Sequence, residues 1–259
     1  MAQADRIYKR HFRKHFANHE ANFPPSRPIE IGAYGVIERG YFKRYGNIKE
    51  KFGIAYEILP DESPSYETFK SEGSVGITFG AKGDTGVGGV PLVKAQVCFS
   101  FSAEKSLFFS AANVRYLQMK DLATVGEKLI ALYKNDLWKK KYVLVSTVLD
   151  AGTTLILISG SDQCNVVFEA KSEEIKAIDL SNAGIEIGFK TSSKVSYEIL
   201  SPGCQLGFSL TRVYNPLFAG PDYKFAMNNT EVFSALDNDN GADAKGLVFG
   251  NIIPGVYDV

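Results

Sequence analysis

The sequence predicts an α+β fold, a twisted antiparallel sheet with surrounding helices. Residues 4–19 and 121–134 repeat apolar side chains at helical spacing, whereas residues 75–101 and 185–199 alternate apolar and polar side chains as half-buried strands do. With 45% apolar side chains in 259 residues, the chain can fill a large core. We expect residues 1–225 to form the main domain and residues 226–259 to form a short acidic C-terminal tail, a candidate regulatory segment.

Residues 4–19 are predicted to form a basic amphipathic helix. Its apolar side is formed by Ile7, Tyr8, Phe12 and Phe16. Its other side carries five basic residues: Arg6, Lys9, Arg10, Arg13 and Lys14. Such a helix either lies solvated on a protein surface or binds an anionic membrane, and the pattern is compatible with both.

The three histidines of the chain, His11, His15 and His19, recur at every fourth position of this helix. No cysteine and no cluster of carboxylates lies nearby to complete a metal site, so we expect no metal and no other cofactor. The alternative is a pH-sensing role, because histidine titrates near physiological pH.

A β-hairpin is predicted over residues 75–101. Its two alternating runs flank a glycine-rich turn over residues 83–89. That turn lacks the Gly-Lys-Ser/Thr ending of a phosphate-binding loop and precedes a strand, so we expect no nucleotide there.

A helix over 121–134 and strands over 142–149, 154–158 and 166–171 follow. Residues 185–199 keep one alternating phase for fifteen positions, which predicts a strand of roughly 50 Å at ~3.3 Å per residue. A membrane β-strand needs only about 9–11 residues. A long half-buried strand of a soluble antiparallel sheet fits the alternation equally well.

Charge is distributed unevenly along a chain of zero formal net charge. Residues 1–51 carry eleven Lys/Arg against five Asp/Glu, a charge of +6. Residues 215–259 carry two against six, a charge of −4. A basic head suits anionic lipid or nucleic acid, and an acidic tail on the same chain could mask it.

The sequence shows no signal peptide, no membrane-spanning helix and no pattern of paired cysteines. Residues 1–10 lack the apolar core of a secretory signal, so we expect a cytosolic protein. The longest strongly apolar run, residues 155–158, is far shorter than a membrane-spanning helix of roughly 20 residues. Cys98, Cys164 and Cys204 are odd in number and lack paired spacing, which predicts reduced, buried thiols. Because no signal peptide and no membrane-spanning helix are predicted, any membrane role must depend on a change of state of the protein.

Four segments, taken in order, resemble the back half of a gasdermin pore-forming domain. They are Tyr142-Val-Leu-Val-Ser-Thr-Val-Leu149, Leu155-Ile-Leu157, Val195-Ser-Tyr197 and Cys204-Gln-Leu-Gly-Phe208. The resemblance covers about residues 4–214 and is closest to short fungal members of the regulator-of-cell-death type. It implies a gasdermin N-terminal-domain-like fold, in which the first helix contacts acidic phospholipids. It also implies that two hairpins, roughly 71–116 and 153–199, refold into membrane-spanning strands.

Carried onto this chain, the resemblance and the basic clusters assign site residues. The expected lipid-binding residues are Arg6, Lys9, Arg10, Arg13, Lys14, Lys43, Arg44, Lys139, Lys140 and Lys141. The expected membrane-inserting positions are Val75, Ile77, Phe79, Val93, Val97, Phe99, Phe101, Ile185, Ile187, Phe189, Val195, Tyr197 and Ile199.

The resemblance further implies a protein that is cytoplasmic when inactive and located at the plasma membrane when active. There it would form a homo-oligomer, or a hetero-oligomer with a homologous allelic partner, and cause lytic regulated cell death. Animal gasdermins carry a C-terminal repressor domain, whereas 45 residues follow Tyr214 here. The trigger, proteolysis or partner pairing, stays open.

Three other classes compete with a pore former. A soluble β-rich lipid- or ligand-binding scaffold fits the same alternation. A nucleic-acid binder would explain the basic head, but no recognised module matches. An enzyme is not expected, because every histidine lies in residues 11–19 and no other residues have catalytic spacing.

Overall fold

The computed structural model describes residues 2–80, 96–169, 188–193, 195–214, 233–234 and 248–251. Three helices lie within these ranges: α1 (Ala2–His15), α2 (Ile48–Phe52) and α3 (Leu122–Lys134). The strands before α3 are β1 (Glu20–Ala21), β2 (Ala33–Glu38), β3 (Tyr41–Asn47), β4 (Ile58–Pro60), β5 (Ser65–Lys70), β6 (Val75–Gly80), β7 (Gln96–Phe101) and β8 (Leu107–Met119). The strands after it are β9 (Val143–Ser159), β10 (Cys164–Glu169), β11 (Gly188–Ser193), β12 (Val195–Tyr214), β13 (Phe233–Ser234) and β14 (Val248–Asn251).

The larger sheet has ten strands, and all of its pairings are antiparallel. Its main path runs β13-β14-β12-β9-β2-β3, while β8 joins β9, β4 and β5 join β8, and β1 joins β12. The predicted class, helices with an antiparallel sheet, is therefore confirmed. The described part of the tail belongs to this sheet, because β14 pairs with the last four residues of β12.

The smaller sheet has four strands in the order β11-β10-β7-β6, which repeats the order β12-β9-β8-β5 in the larger sheet. Each of its strands is the continuation in sequence of its counterpart. Two extended hairpins result, one with arms β5–β6 and β7–β8 and one with arms β9–β10 and β11–β12. The ranges expected for the two hairpins, 71–116 and 153–199, lie within these longer ones. The two hairpins pair with each other through β8–β9 and β7–β10.

Three clusters of apolar side chains fill the fold. The first surrounds Trp138 and joins α3 to β2, to the start of β9 and to the end of β12. The second joins α1 to one face of β8 and β9, and the third joins the smaller sheet to their other face, where Phe108, Leu155 and Leu157 point. Helix α1 and the smaller sheet therefore cover opposite faces of the same two strands.

Three element boundaries differ from the prediction. The helix expected over 4–19 ends at His15, because Glu20 and Ala21 pair with β12 and the chain must turn first. The strands expected over 142–149 and 154–158 are one strand, β9, because β8 and β12 pair with it on both sides. Gly152, between the two predicted strands, lies against Asn113 of β8.

The single long strand expected over 185–199 is wrong for its described part. Residues 188–193 form β11 in the smaller sheet, whereas Val195 begins β12 in the larger sheet. The reason is the partner arm, since β9 ends at Ser159 and β10 starts again at Cys164 in the other sheet. Strands hydrogen-bonded to a bent arm must bend with it.

Candidate functional site

Helix α1 buries its apolar side and presents its basic side outward, as its pattern predicted. Ile7, Tyr8, Phe12 and Phe16 are buried in the second cluster. Tyr8 also donates its hydroxyl hydrogen to the carbonyl of Leu206 on β12, at 3.1 Å. The apolar face is therefore not free to enter a membrane while α1 lies on the sheet.

The five basic residues of α1 fall into two groups. Lys9 pairs with Asp5 at 3.2 Å and lies over the ring of Tyr41, and Arg13 pairs with Glu20 at 2.8 Å. Asp5 and Glu20 are both buried, so these two cations neutralise carboxylates inside the fold. Arg6, Arg10 and Lys14 are exposed and form no ion pair among the described residues. Three of the five basic residues of α1 are therefore available to bind an anionic surface.

The other basic residues predicted to bind lipid lie on β3 and before β9. Lys43 pairs with Glu38 at 3.0 Å, Arg44 with Glu30 at 2.8 Å and Lys139 with Asp136 at 3.5 Å. Lys140 and Lys141 are exposed.

Strand β3 connects these basic groups through two tyrosines. Tyr41 donates its hydroxyl hydrogen to Asp5 of α1, and this hydrogen bond raises the pKa of the Tyr41 phenol. Tyr45 contacts Tyr142, next to the lysine run, with ring centroids 5.9 Å apart. Lys43 lies between the two tyrosines along β3.

Each of the three histidines has a neighbour on the first hairpin, although only His11 and His15 lie on α1 and His19 follows its end. His11 Nε2 lies 3.3 Å from Ser71 Oγ, and His15 Nε2 lies 2.8 Å from Glu67 Oε2. His19 stands edge-on to Tyr116, and burial lowers its pKa to about 4. The described residues contain no group of three or more metal-ligating side chains.

Seven of the thirteen predicted membrane-inserting positions lie on strands of the smaller sheet, which are Val75, Ile77, Phe79, Val97, Phe99, Phe101 and Phe189. Across its four strands, one row of paired residues is Phe79, Val97, Phe168 and Phe189. The next row pairs Ile77, Phe99 and Val166 with Ser192, so it is apolar on three strands and polar on β11. The third row includes Val75, Phe101 and Cys164. Val195, Tyr197 and Ile199 lie on β12, and Val93, Ile185 and Ile187 fall outside the described residues.

This apolar face is closed against the larger sheet. Val75, Phe99 and Phe101 are buried and pack with Phe108, Leu155 and Leu157. The rings of Phe99 and Phe108 are 4.6 Å apart. The face is therefore protected from water in this conformation.

Sequence reasoning missed the contribution of β10 to this face. Cys164, Val166 and Phe168 alternate with Asn165, Val167 and Glu169, a short pattern that could have identified them. All three are buried in the third cluster.

Where the sheets meet, serine side chains connect the two arms of the first hairpin to each other and to the end of β9. Ser71 Oγ accepts from the backbone N–H of Leu107, and Ser106 Oγ donates to Ser74 Oγ at 2.8 Å. Ser159 Oγ accepts from the backbone N–H of Ser106 at 2.9 Å. Opening the small sheet away from the large one must strain or break these bonds.

Within the described part of the chain, no helix is both long and apolar enough to cross a bilayer. The chain matches no protein-family model, and no curated protein matches it significantly.

Proposed function

We propose that the protein is a gasdermin-like pore former that oligomerises on acidic phospholipids. The observation that carries this proposal is an apolar face on two adjacent hairpins, formed by Val75, Phe99, Phe101, Val166 and Phe168, which is buried against the larger sheet in the folded chain. The proposal extends to its setting: a cytoplasmic inactive form, a plasma-membrane active form, and lytic regulated cell death.

Recruitment by charge is the first step. Arg6, Arg10 and Lys14 are free of ion pairs with described residues, and each exposed cation near an anionic leaflet contributes about 1 kcal/mol. About 3 kcal/mol corresponds to binding weaker than millimolar. One molecule therefore associates only transiently, and commitment requires several copies bound together.

Opening of the third cluster is the second step. If the smaller sheet separates from Phe108, Leu155 and Leu157, its apolar rows lose their protein partner and acyl chains can replace it. The arms are long enough, since β9 alone has 17 residues and a membrane strand needs about 9–11.

Closure of a ring is the third step. Among the described strands, β6 and β11 each pair on one side only. An unpaired strand edge is too costly to leave in hydrocarbon, so inserted hairpins of neighbouring molecules must pair until no edge remains. The neighbours are further copies of this chain or a homologous allelic partner.

Dye release from vesicles tests the proposal. We expect the full chain, alone, with a homologous partner or after limited proteolysis, to release dye from phosphatidylserine vesicles and not from phosphatidylcholine vesicles. Intact vesicles under all three conditions would contradict pore formation and favour the soluble β-rich scaffold.

Two neighbouring substitutions sharpen this test. Ile77 lies on the apolar face of β6 and Thr78 on its opposite face, and both are half-buried. Ile77→Glu should abolish dye release, because the carboxylate would face acyl chains, whereas Thr78→Glu should preserve it. Circular dichroism and an unfolding curve must first show that both variants fold. Equal release by the two folded variants would exclude this face from the pore.

A further inference from the structure

A second candidate site contains no residue of the first hairpin. It is a pocket between α1, the connection over residues 22–29, strand β3 and strand β12. It encloses about 90 Å³, or about 650 Å³ with its open mouth. Its floor is apolar and consists of Phe23, Ile29, Ile37, Phe42 and Phe208.

Three cations, Lys9, Arg27 and Arg44, line the rim of the pocket. Lys9 is paired with Asp5 at 3.2 Å and Arg44 with Glu30 at 2.8 Å, so Arg27 carries the available charge. Glu20 is the one carboxylate among the described lining residues, and Arg13 already neutralises it at 2.8 Å. Arg27 is exposed and forms no ion pair with any described residue. The rim can therefore accept an anion without displacing a partner of Arg27.

The connection that carries Arg27 is pinned to β12. Asn22, a buried residue, donates through Nδ2 to the carbonyls of Arg27 at 2.7 Å and Gln205 at 2.8 Å. The side-chain carbonyl of Gln205 accepts from Ile29 N–H, and Gln205 N–H donates to the Pro25 carbonyl at 2.9 Å. A wall fixed in this way loses little conformational entropy when a ligand binds.

We propose that this pocket binds a small amphiphilic anion, a carboxylate on a short apolar or aromatic body. The apolar body contacts Phe42 and Phe208, and the carboxylate accepts hydrogen bonds from Arg27. An apolar cavity of about 150 Å³ holds benzene, so a pocket of about 90 Å³ takes only the tip of such a body and leaves the rest in the mouth. The binding site is independent of the proposed pore activity.

Phenylacetate is a suitable probe, with 2-phenylethanol as the uncharged analogue of the same shape. Isothermal titration calorimetry on the full chain should detect binding of phenylacetate and at least about tenfold weaker binding of 2-phenylethanol, because the charge-assisted hydrogen bonds are lost. Equal affinity of the two compounds, or no binding of phenylacetate up to 10 mM probe, would overturn the proposal.

Substitutions in and outside the pocket test whether phenylacetate binds there. Arg27→Gln should weaken phenylacetate binding about tenfold. Lys51→Gln, which removes an exposed charge from a residue that does not line the pocket, should leave the affinity unchanged. Ile37→Phe, which adds volume to the floor, should reduce affinity while unfolding curves show that the fold is kept. Equal affinities of wild type and Arg27→Gln, or equal losses in Arg27→Gln and Lys51→Gln, would refute a site at this rim.

Discussion

Gly207 of β12 lies so close to Phe12 of α1 that a Cβ atom added to the glycine would be 2.3 Å from Phe12 Cζ. The same atom would be 2.6 Å from the backbone carbonyl oxygen of Glu20 on β1. Phe12 is fully buried, with its ring 4.7 Å from that of Phe16. The missing side chain at position 207 is therefore what lets α1 and β1 approach β12 together.

Gly207→Ala should lower the free energy of unfolding by about 1–3 kcal/mol, because the ring and the backbone of β1 must both shift. Urea denaturation followed by circular dichroism measures this change. Ser201→Ala, a substitution of a half-buried residue on the same strand, should stay within about 0.5 kcal/mol of wild type. A Gly207→Ala midpoint equal to that of wild type would show that α1 is not held by this contact.

The basic residues of α1 are predicted to differ in role. Replacing Arg6, Arg10 and Lys14 by Gln removes the three exposed charges and leaves both internal ion pairs intact. Attraction to anionic vesicles should fall by about 3 kcal/mol, around a hundredfold in partitioning. Sedimentation with phosphatidylserine vesicles measures it, and added salt should reproduce the loss in wild type, since screening acts over about 8 Å.

Arg13→Gln is the contrasting variant. It leaves Glu20 buried without its partner at 2.8 Å, so we expect a loss of stability that the triple variant does not show. If the variant with Gln at positions 6, 10 and 14 folds and binds phosphatidylserine vesicles as strongly as wild type does, α1 has no role in membrane recruitment.

Stability should fall as the pH falls from about 6.5 towards 4. Burial lowers the pKa of His19 to about 4, whereas an unfolded histidine titrates near ~6.5. Between these values the unfolded chain binds more protons, so acid favours unfolding. His19 alone should cost about 2 kcal/mol between pH 7 and pH 5.

Urea midpoints at the two pH values measure this effect, and His19→Gln should remove most of it. A smaller part should remain, because burial, with Arg10 and Lys14 nearby, also lowers the pKa of His11. If His19→Gln keeps the full pH dependence, the titrating group lies elsewhere.

Maleimide labelling of the three cysteines shows which sheet becomes accessible to water on a membrane. All three are buried, and burial raises the pKa of the Cys98 and Cys204 thiols, so a water-soluble maleimide should label none of them in the folded protein. On anionic vesicles Cys98 should become labelled, because it lies on the face opposite to the apolar rows and that face of the inserted strands would line water. Cys164 lies on the apolar face, and Cys204 lies under α1 in the larger sheet.

Variants that retain one cysteine each, analysed by mass spectrometry, separate these cases. We expect labelling of Cys98 on phosphatidylserine vesicles and protection of Cys164 and Cys204. Labelling of all three would indicate general unfolding, and labelling of none would contradict opening of the hairpins.

Local periodicity was sufficient to predict several elements. The period of 3.6 residues in Ile7, Tyr8, Phe12 and Phe16 predicted which side of α1 is buried, and helix α3 lies within one residue of its prediction. Alternation in Val75, Ile77, Phe99 and Phe101 predicted the first hairpin and its apolar face. These patterns depend only on side chains a few residues apart, whose relative directions the backbone geometry determines.

The sequence by itself thus determined the antiparallel class, the basic helix and the first hairpin, whereas the second hairpin was implied only by the family resemblance. Only the tertiary structure decided that residues 188–199 divide between two sheets, that Cys164, Val166 and Phe168 complete the apolar face, and that Lys9 and Arg13 are neutralised. The physical reason is that each of these facts depends on a partner distant in the chain. A strand bends where its hydrogen-bonded neighbour bends, and a surface cation is available only where folding brings no carboxylate to it.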